Sequence, residues 1–170
     1  VELMMNCSNV AVSTGAGISA ESGVPTFRGK DGLWGKFKAE ELATMEAFIA
    51  NPKIVWEWYN WRRDLMSKGK PNPGHYAICP MATIFDEFTQ ITQNVDTLHR
   101  QAGSTHVLEL HGNVHRNKCA NCNMVVDLAQ EIDPDKIPVC RKCRGPIRPD
   151  VVWFGEMLPE DIIAEAFERA

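Results

Sequence analysis

The sequence predicts an α/β fold with a Rossmann-like, mostly parallel sheet, interrupted by a helical insert and a small cysteine-rich insert. Three observations predict it. Apolar strand patterns alternate with helical patterns, the first strand runs straight into a glycine-rich turn, and four of the six cysteines fall in two tight pairs. At 170 residues, 44% hydrophobic and 24% charged, the chain is long enough to bury a real core. A net charge of −4 argues against a protein held to nucleic acid mainly by phosphate contacts. No apolar run approaches the ~18 residues of a membrane span, and VELMMNCSNV lacks a signal peptide's basic start and long apolar stretch. The expectation is a cytoplasmic protein with no membrane contact and reduced thiols.

The elements follow in order. NVAVSTGAGISAESG reads as a buried strand, a turn and a helix starting near Ser19–Ser22. PTFRGKDGLWG has a proline, three glycines and no period, so it is a loop. Helical patterns run from Ala39 to about Lys68 and break at Asn51-Pro52, where one helix stops and the next starts. HYAICPMATIFDEF is a helix disturbed by Pro80, and FTQITQNVD and HVLELHGN are two buried strands ending in polar residues. VVWFGE resumes a strand, and LPEDIIAEAFERA is a helix with proline and acids in its first turn. The domain reading is a sheet domain over 1–34, 75–115 and 150–170, a helical insert over 35–74, and a metal module over 116–149.

One helix raises a question. In VWEWYNWRRDLM, the helical neighbours of Arg62 are Val55, Trp58, Tyr59, Leu65 and Met66, all apolar or aromatic. The nearest acids, Glu57 and Asp64, point to other faces, so a permanent cation lies on a stripe that should face a core. An arginine that snorkels, or pairs with a distant structural acid, would read the same way.

Cys119 and Cys122 form one C-x2-C pair, Cys140 and Cys143 another. Four sulfurs can close a tetrahedron around Zn2+ and leave no position for a catalytic water, so the site is structural. Cys7 and Cys79 read as core thiols. The insert is locally basic through Arg116, Lys118, Lys136, Arg141, Lys142, Arg144 and Arg148. Five acids dilute that charge and no aromatics interleave with it, so nucleic-acid binding is the minor alternative.

Gly15, Gly17 and Ala20 fit G-x-G-x-x-A after a strand and before a helix, the pattern that lets backbone approach a pyrophosphate. A ligand-free tight turn carries the same pattern. In open α/β sheets ligands bind beyond the carboxyl ends of strands, and QNVD (Gln93, Asn94, Val95, Asp96) and HGN (His111, Gly112, Asn113) lie at such ends. His111 is thus a candidate general base, histidine being the side-chain type suited to proton transfer near neutral pH. By residue type His75, His99, His106 and His115 are equally available.

Taken together, GAGIS, SGVPTFRG, TQNVD, LHG, the cysteine pairs and VVWFGE stand in the order they have in the sirtuins, the NAD-dependent protein-lysine deacylases. The sequence resembles that family over essentially its whole length. YNWR resembles the Tyr-x-x-Arg signature of the class that removes succinyl, malonyl or glutaryl groups. The resemblance implies that Gly15, Ala16, Gly17, Ile18 and Ser19 hold the phosphates and ribose of NAD, the co-substrate. It implies that Pro25, Thr26, Phe27 and Arg28, with Trp34, form the cofactor loop. Gln93, Asn94, Val95 and Asp96 would line the nicotinamide pocket, and His111 would be the general base that activates a ribose hydroxyl. Val152, Trp153, Phe154, Gly155 and Glu156 would flank the acyl-lysine tunnel and pair with the substrate backbone. Tyr59 and Arg62, three residues apart on one helix face, would hold the acyl carboxylate, and a small Ala20 would widen the pocket.

The implied partner is a protein or peptide carrying acyl-lysine, and the implied products are nicotinamide, free lysine and O-acyl-ADP-ribose. The family continues past the helix matching the end of this sequence, with further strands and a Gly-Thr-Ser loop. The resemblance therefore implies an incomplete sheet, with weak NAD binding and little turnover for these 170 residues alone. A mono-ADP-ribosyltransferase using the same crevice and a non-enzymatic zinc-ribbon module are the alternatives.

Overall fold

The computed structural model describes residues 6–24, 39–126 and 132–170. The expected cofactor-loop residues Pro25, Thr26, Phe27, Arg28 and Trp34 lie outside the described residues.

NVAVST forms β1 (Asn9–Thr14), and one helical turn, α1 (Ala16–Ala20), follows directly on Gly15. The helix thus begins ahead of Ser19, with Gly15 as its extended N-cap residue. In β1 exposed and half-buried positions alternate; it lies at the end of the strand order and is not a fully buried strand. Helices α2 (Ala39–Leu42), α3 (Met45–Ala50) and α4 (Pro52–Ser67) build the insert. Asn51 caps α4 by accepting from the Ile54 N–H, and Pro52 occupies the first turn, where no N–H is needed. The break at Asn51-Pro52 stands where the sequence puts it. Helix α4 buries Val55, Trp56, Trp58, Tyr59, Arg62 and Met66 as one stripe.

Helices α5 (Pro73–Ile78) and α6 (Met81–Ile84) are separated at Pro80. Strand β2 (Glu87–Thr92), helix α7 (Leu98–Gln101) and strand β3 (Val107–Glu109) follow. The parallel sheet has the order β1-β2-β3, with Val12 opposite Gln90 and Gln90 opposite Val107. A second, antiparallel sheet has the order β5-β4-β6, from β4 (Gly112–Cys119), β5 (Val125–Val126) and β6 (Ile147–Val151). Strands β4 and β6 run across the 115/116 and 149/150 boundaries, so this sheet begins at the residue after His111.

VVWFGE does not continue as a strand past Val151. Gly155 adopts φ +83° and the Glu156 carboxylate accepts from the Trp153 N–H, folding the segment into a turn. Helix α8 (Glu160–Glu168) carries Glu160 and Asp161 in its first turn and packs Ala166 and Ile162 against Ile91 and Leu108. The main core joins Val55, Trp56 and Tyr59 of α4 to Leu98, Val114, Ile147, Val151 and Trp153, so the insert helix is packed against residues of both sheet regions. Cys79 is half-buried and Cys7 is exposed just ahead of β1, so Cys7 is not a core thiol. Among the described residues no helix is long and apolar enough to cross a membrane.

Candidate active site

Backbone hydrogen bonds draw three strand tips together. The Gln93 N–H donates to the Thr14 carbonyl at 3.0 Å, and the Leu110 N–H to Thr92 O at 2.9 Å. Asn94 Nδ2 then donates to Gly15 O at 3.0 Å and to Ser19 Oγ at 3.1 Å, and Ser19 Oγ donates to Asp96 Oδ2 at 2.8 Å. A cavity of about 760 Å³ opens at this junction, lined by Ala16, Gly17, Gln93, Asn94, Val95 and His111 on one side. Tyr59, Arg62, Val152, Trp153, Phe154, Gly155 and Glu156 are among the residues lining the other side. A second hollow of about 10 Å³ shares Ala16, Asn94 and Val95 with it and adds Ser19 and Asp96.

Among the described residues a Cβ added at Gly15 or Gly17 would meet nothing within 4 Å, so they leave the bare backbone of the turn uncovered, as a ligand that needs close backbone approach requires. Ile18 supports this turn from behind, its carbonyl accepting from Asn72 Nδ2 at 2.6 Å. Ala20 is exposed and does not line the cavity, so its small size does not widen the pocket.

Of the five histidines, His111 is the one on the cavity wall. His99 lies between Thr14 Oγ1 at 2.9 Å and Gln90 Nε2 at 2.5 Å, and burial pushes its pKa down to about 4. His75 is buried and accepts from the Asn72 N–H, His106 faces Glu165 at 3.6 Å, and His115 is exposed. His111 Nδ1 lies 2.8 Å from the Gln93 carbonyl oxygen. A carbonyl only accepts, so Nδ1 carries the hydrogen, which in the neutral imidazole leaves the lone pair on Nε2.

The turn bearing His111 is anchored on both flanks. Buried Glu109 accepts from Arg100 Nε at 3.0 Å, Arg116 Nη1 at 2.9 Å and Asn113 Nδ2 at 2.9 Å, and Arg116 also grips Asp150. Gly112 adopts φ +77°, and a Cβ there would lie 2.1 Å from the Asp150 carbonyl oxygen. Gly112→Ala is therefore expected to cost about 3 kcal/mol or more of stability, read as a lower urea midpoint at unchanged slope. A midpoint within error of the parent would mean that this turn repacks freely.

The opposite wall carries the cation the sequence left unexplained. Arg62 is 2% exposed, with its guanidinium 4.7 Å from the Trp58 ring centroid and 5.2 Å from that of Tyr59. Burial lowers its pKa and raises that of Tyr59, which stays a neutral phenol. The Tyr59 hydroxyl accepts from Trp153 Nε1 at 2.8 Å.

In the turn after β6, the N–H groups of Val152, Phe154 and Glu156 donate to His111 O, Ala43 O and Trp153 O. With the Trp153 N–H on Glu156, four backbone N–H groups of this turn are held within the protein. Glu156 lines the cavity, but both its oxygens are held by Arg148 at 2.5 and 2.7 Å. Burial would raise its pKa, and Arg148 holds it below the usual carboxylate range. Arg148 is the site residue the sequence reading missed: it looked like one more cation of a basic insert, and it is 1% exposed.

The four paired cysteines meet as expected, with all four sulfurs within 4.8 Å of one another. Cys119 and Cys143 lie 3.3 Å apart, Cys122 and Cys140 3.8 Å, close to the ~3.8 Å edges of a tetrahedron with ~2.3 Å Zn–S bonds. The Asn121 and Lys142 N–H groups donate to Cys119 and Cys140 sulfur at 3.4 Å, and Asn123 and Arg144, each just after a pair, take positive φ. The two halves are thus equivalent turns that fit a structural zinc ion, and none of the four cysteines lines the cavity.

The sequence model of the Sir2 family matches residues 15–170. The NAD-dependent protein deacylase of Aquifex aeolicus is 56% identical over 161 residues, covering 94% of this chain and 67% of its own length, so the chain spans about two thirds of that relative. Among solved structures, a mutant Sir2 homologue bound to ADP-ribose superposes with a TM-score of 0.86 at 41% identity, over 99% of this chain and 70% of that one. A Sir2 homologue in complex with NAD gives 0.84 at 42% identity, over 99% and 68%. Glycine turn, strand tips, histidine and four-sulfur cluster occur here on the fold those proteins share, and the chain belongs to the Sir2 family.

Proposed function

We propose that this chain carries NAD-dependent removal of acyl groups from protein lysine, with a preference for acyl groups that end in a carboxylate, such as succinyl, malonyl and glutaryl. The observation that carries the preference is Arg62, a cation 2% exposed on the wall of the cavity that His111 also lines. A buried guanidinium can grip a carboxylate by two parallel bonds, and Tyr59 adds a neutral donor beside it.

NAD, when bound, supplies a ribose carbon that the acyl oxygen attacks as nicotinamide leaves, so no hydride moves. The residues have separate tasks. The glycine turn would admit the pyrophosphate, Asn94 and Asp96 would stand at the nicotinamide end, and His111 Nε2 would take a proton from a ribose hydroxyl. The apolar turn Val152–Phe154 encloses the lysine stem, and the cysteine cluster remains structural.

Incubating a succinyl-lysine peptide with the protein and NAD, followed by mass spectrometry, tests the reading. Loss of succinyl with appearance of O-succinyl-ADP-ribose supports it. A gain of ADP-ribose on protein would indicate the transferase alternative, and no change on any acyl peptide, with these 170 residues and with a chain extended by the family's further strands, would leave only a binding module. Arg62→Met is expected to lower kcat/KM for the succinyl peptide by about 100-fold or more and for the acetyl peptide by less than about 10-fold. Equal losses on both would overturn the acidic-acyl preference.

A further inference from the structure

We propose that Arg148 and Trp153 are positioning residues that set the acyl preference by fixing the direction of the Tyr59 hydroxyl; this rests on the acidic-acyl reading above. A phenol has one O–H to give and two lone pairs to receive, whereas an indole N–H only gives. Trp153 Nε1 lies 2.8 Å from the Tyr59 oxygen, so Tyr59 is the acceptor in that bond and its own proton points elsewhere. Arg62, one turn along α4, has only donors and cannot receive it. The proton is therefore offered to the cavity that both residues line, where the distal carboxylate of an acidic acyl group can accept it. Burial, which keeps the phenol neutral, keeps that donor available.

The indole is held by a residue that does not line the cavity. The Arg148 guanidinium lies 3.7 Å from the Trp153 ring centroid, a cation stacked on the π-face. Its two terminal nitrogens grip both Glu156 oxygens, and Nη2 also donates to Val151 O at 2.8 Å. Glu156 in turn accepts from the Trp153 backbone N–H at 2.8 Å, so the tryptophan is fixed through both its ring and its backbone. Phe48 packs on it at a centroid distance of 5.4 Å. An acetyl group has no distal acceptor, so the directed proton favours only acyl groups that reach Tyr59 with an oxygen.

Trp153→Phe keeps a ring and removes the N–H. The succinyl-to-acetyl ratio of kcat/KM is expected to fall about 5- to 10-fold, mainly through KM for the succinyl peptide. Arg148→Lys, which keeps the charge but loses the planar stack and the paired bonds, should shift the ratio in the same direction by a smaller factor. Because a buried arginine variant can fail to fold, the native protein supplies a second readout. The Trp153 indole N–H resonance, assigned by its loss in Trp153→Phe, should move downfield on binding a succinyl-lysine peptide and much less with an acetyl-lysine peptide. Equal loss on both substrates in Trp153→Phe, or an indole resonance indifferent to the acyl group, would make the Trp153–Tyr59 bond a packing brace and overturn the inference. Arg62→Met separates the two failures. If it discriminates the acyl groups while Trp153→Phe does not, only this inference falls; if Arg62→Met does not discriminate, both fall.

Discussion

His111→Asn should slow release of free lysine by about 10²–10⁴-fold while nicotinamide release in a single turnover persists. The asparagine amide can replace the Nδ1–H bond to the Gln93 carbonyl, now 2.8 Å long, so the strand tip keeps its geometry. What it cannot replace is the lone pair on Nε2. Displacement of nicotinamide requires no base on the enzyme, whereas the ribose hydroxyl must give up its proton to one as it attacks, so the two steps separate in this variant. Rapid quench with isotopically labelled NAD would follow both, and a parallel fall in both rates would reduce His111 to a positioning role. The flanking network makes the comparison clean. Glu109, Arg116 and Asp150 hold the turn independently of the imidazole, so the substitution should leave the thermal midpoint near that of the parent.

The same histidine shows where sequence reasoning stops. Alternating patterns were enough for the parallel sheet, the breaks at Asn51-Pro52 and Pro80, and the gathering of three strand tips, because each depends on local periodicity or on backbone chemistry. Choosing among five histidines depends on which of them meets a partner distant in sequence. His99 bonds Thr14, eighty-five positions away, and nothing near either residue announces it. Arg116, Lys118 and Arg148 read as a basic surface because their sequence neighbours are mixed. In space they pair with Glu109, Asp150 and Glu156. The turn at Val152–Glu156 looked like a strand because VVWF is apolar. It bends where Arg148 and Glu156 close on each other across Trp153, a contact with no fixed spacing. Arg62 was legible for the opposite reason: a cation on an apolar stripe is a local contradiction, and such contradictions mark sites.

Removing the metal should have a larger structural effect than any single substitution above, although the cysteine cluster touches no substrate. The second sheet is small, and three of its tethers are hydrogen bonds to α4. Trp56 Nε1 donates to Ile147 O at 3.2 Å, Arg63 Nε to Val114 O at 2.6 Å, and Arg63 Nη2 to Asn117 Oδ1 at 2.7 Å. A fourth, Asn60 Nδ2 to Ile132 O at 2.7 Å, reaches the segment between the cysteine pairs. Helix α4 carries Tyr59 and Arg62, and β6 carries Arg148, which holds Trp153, so melting this sheet loosens the wall of the cavity opposite His111. Chelation, or Cys140→Ser, is expected to lower the thermal midpoint by about 10 °C or more, since metal-binding energy in such modules is folding energy. Acidic-acyl turnover should fall in proportion to zinc content measured by plasma mass spectrometry and return on adding Zn2+. The ordering of losses is the sharper test. Discrimination between succinyl and acetyl peptides, which we propose to depend on Arg62 and Arg148, should decline before NAD binding at the glycine turn, which belongs to the other sheet. Full discrimination in a zinc-free protein would mean that the four sulfurs hold nothing the cavity needs.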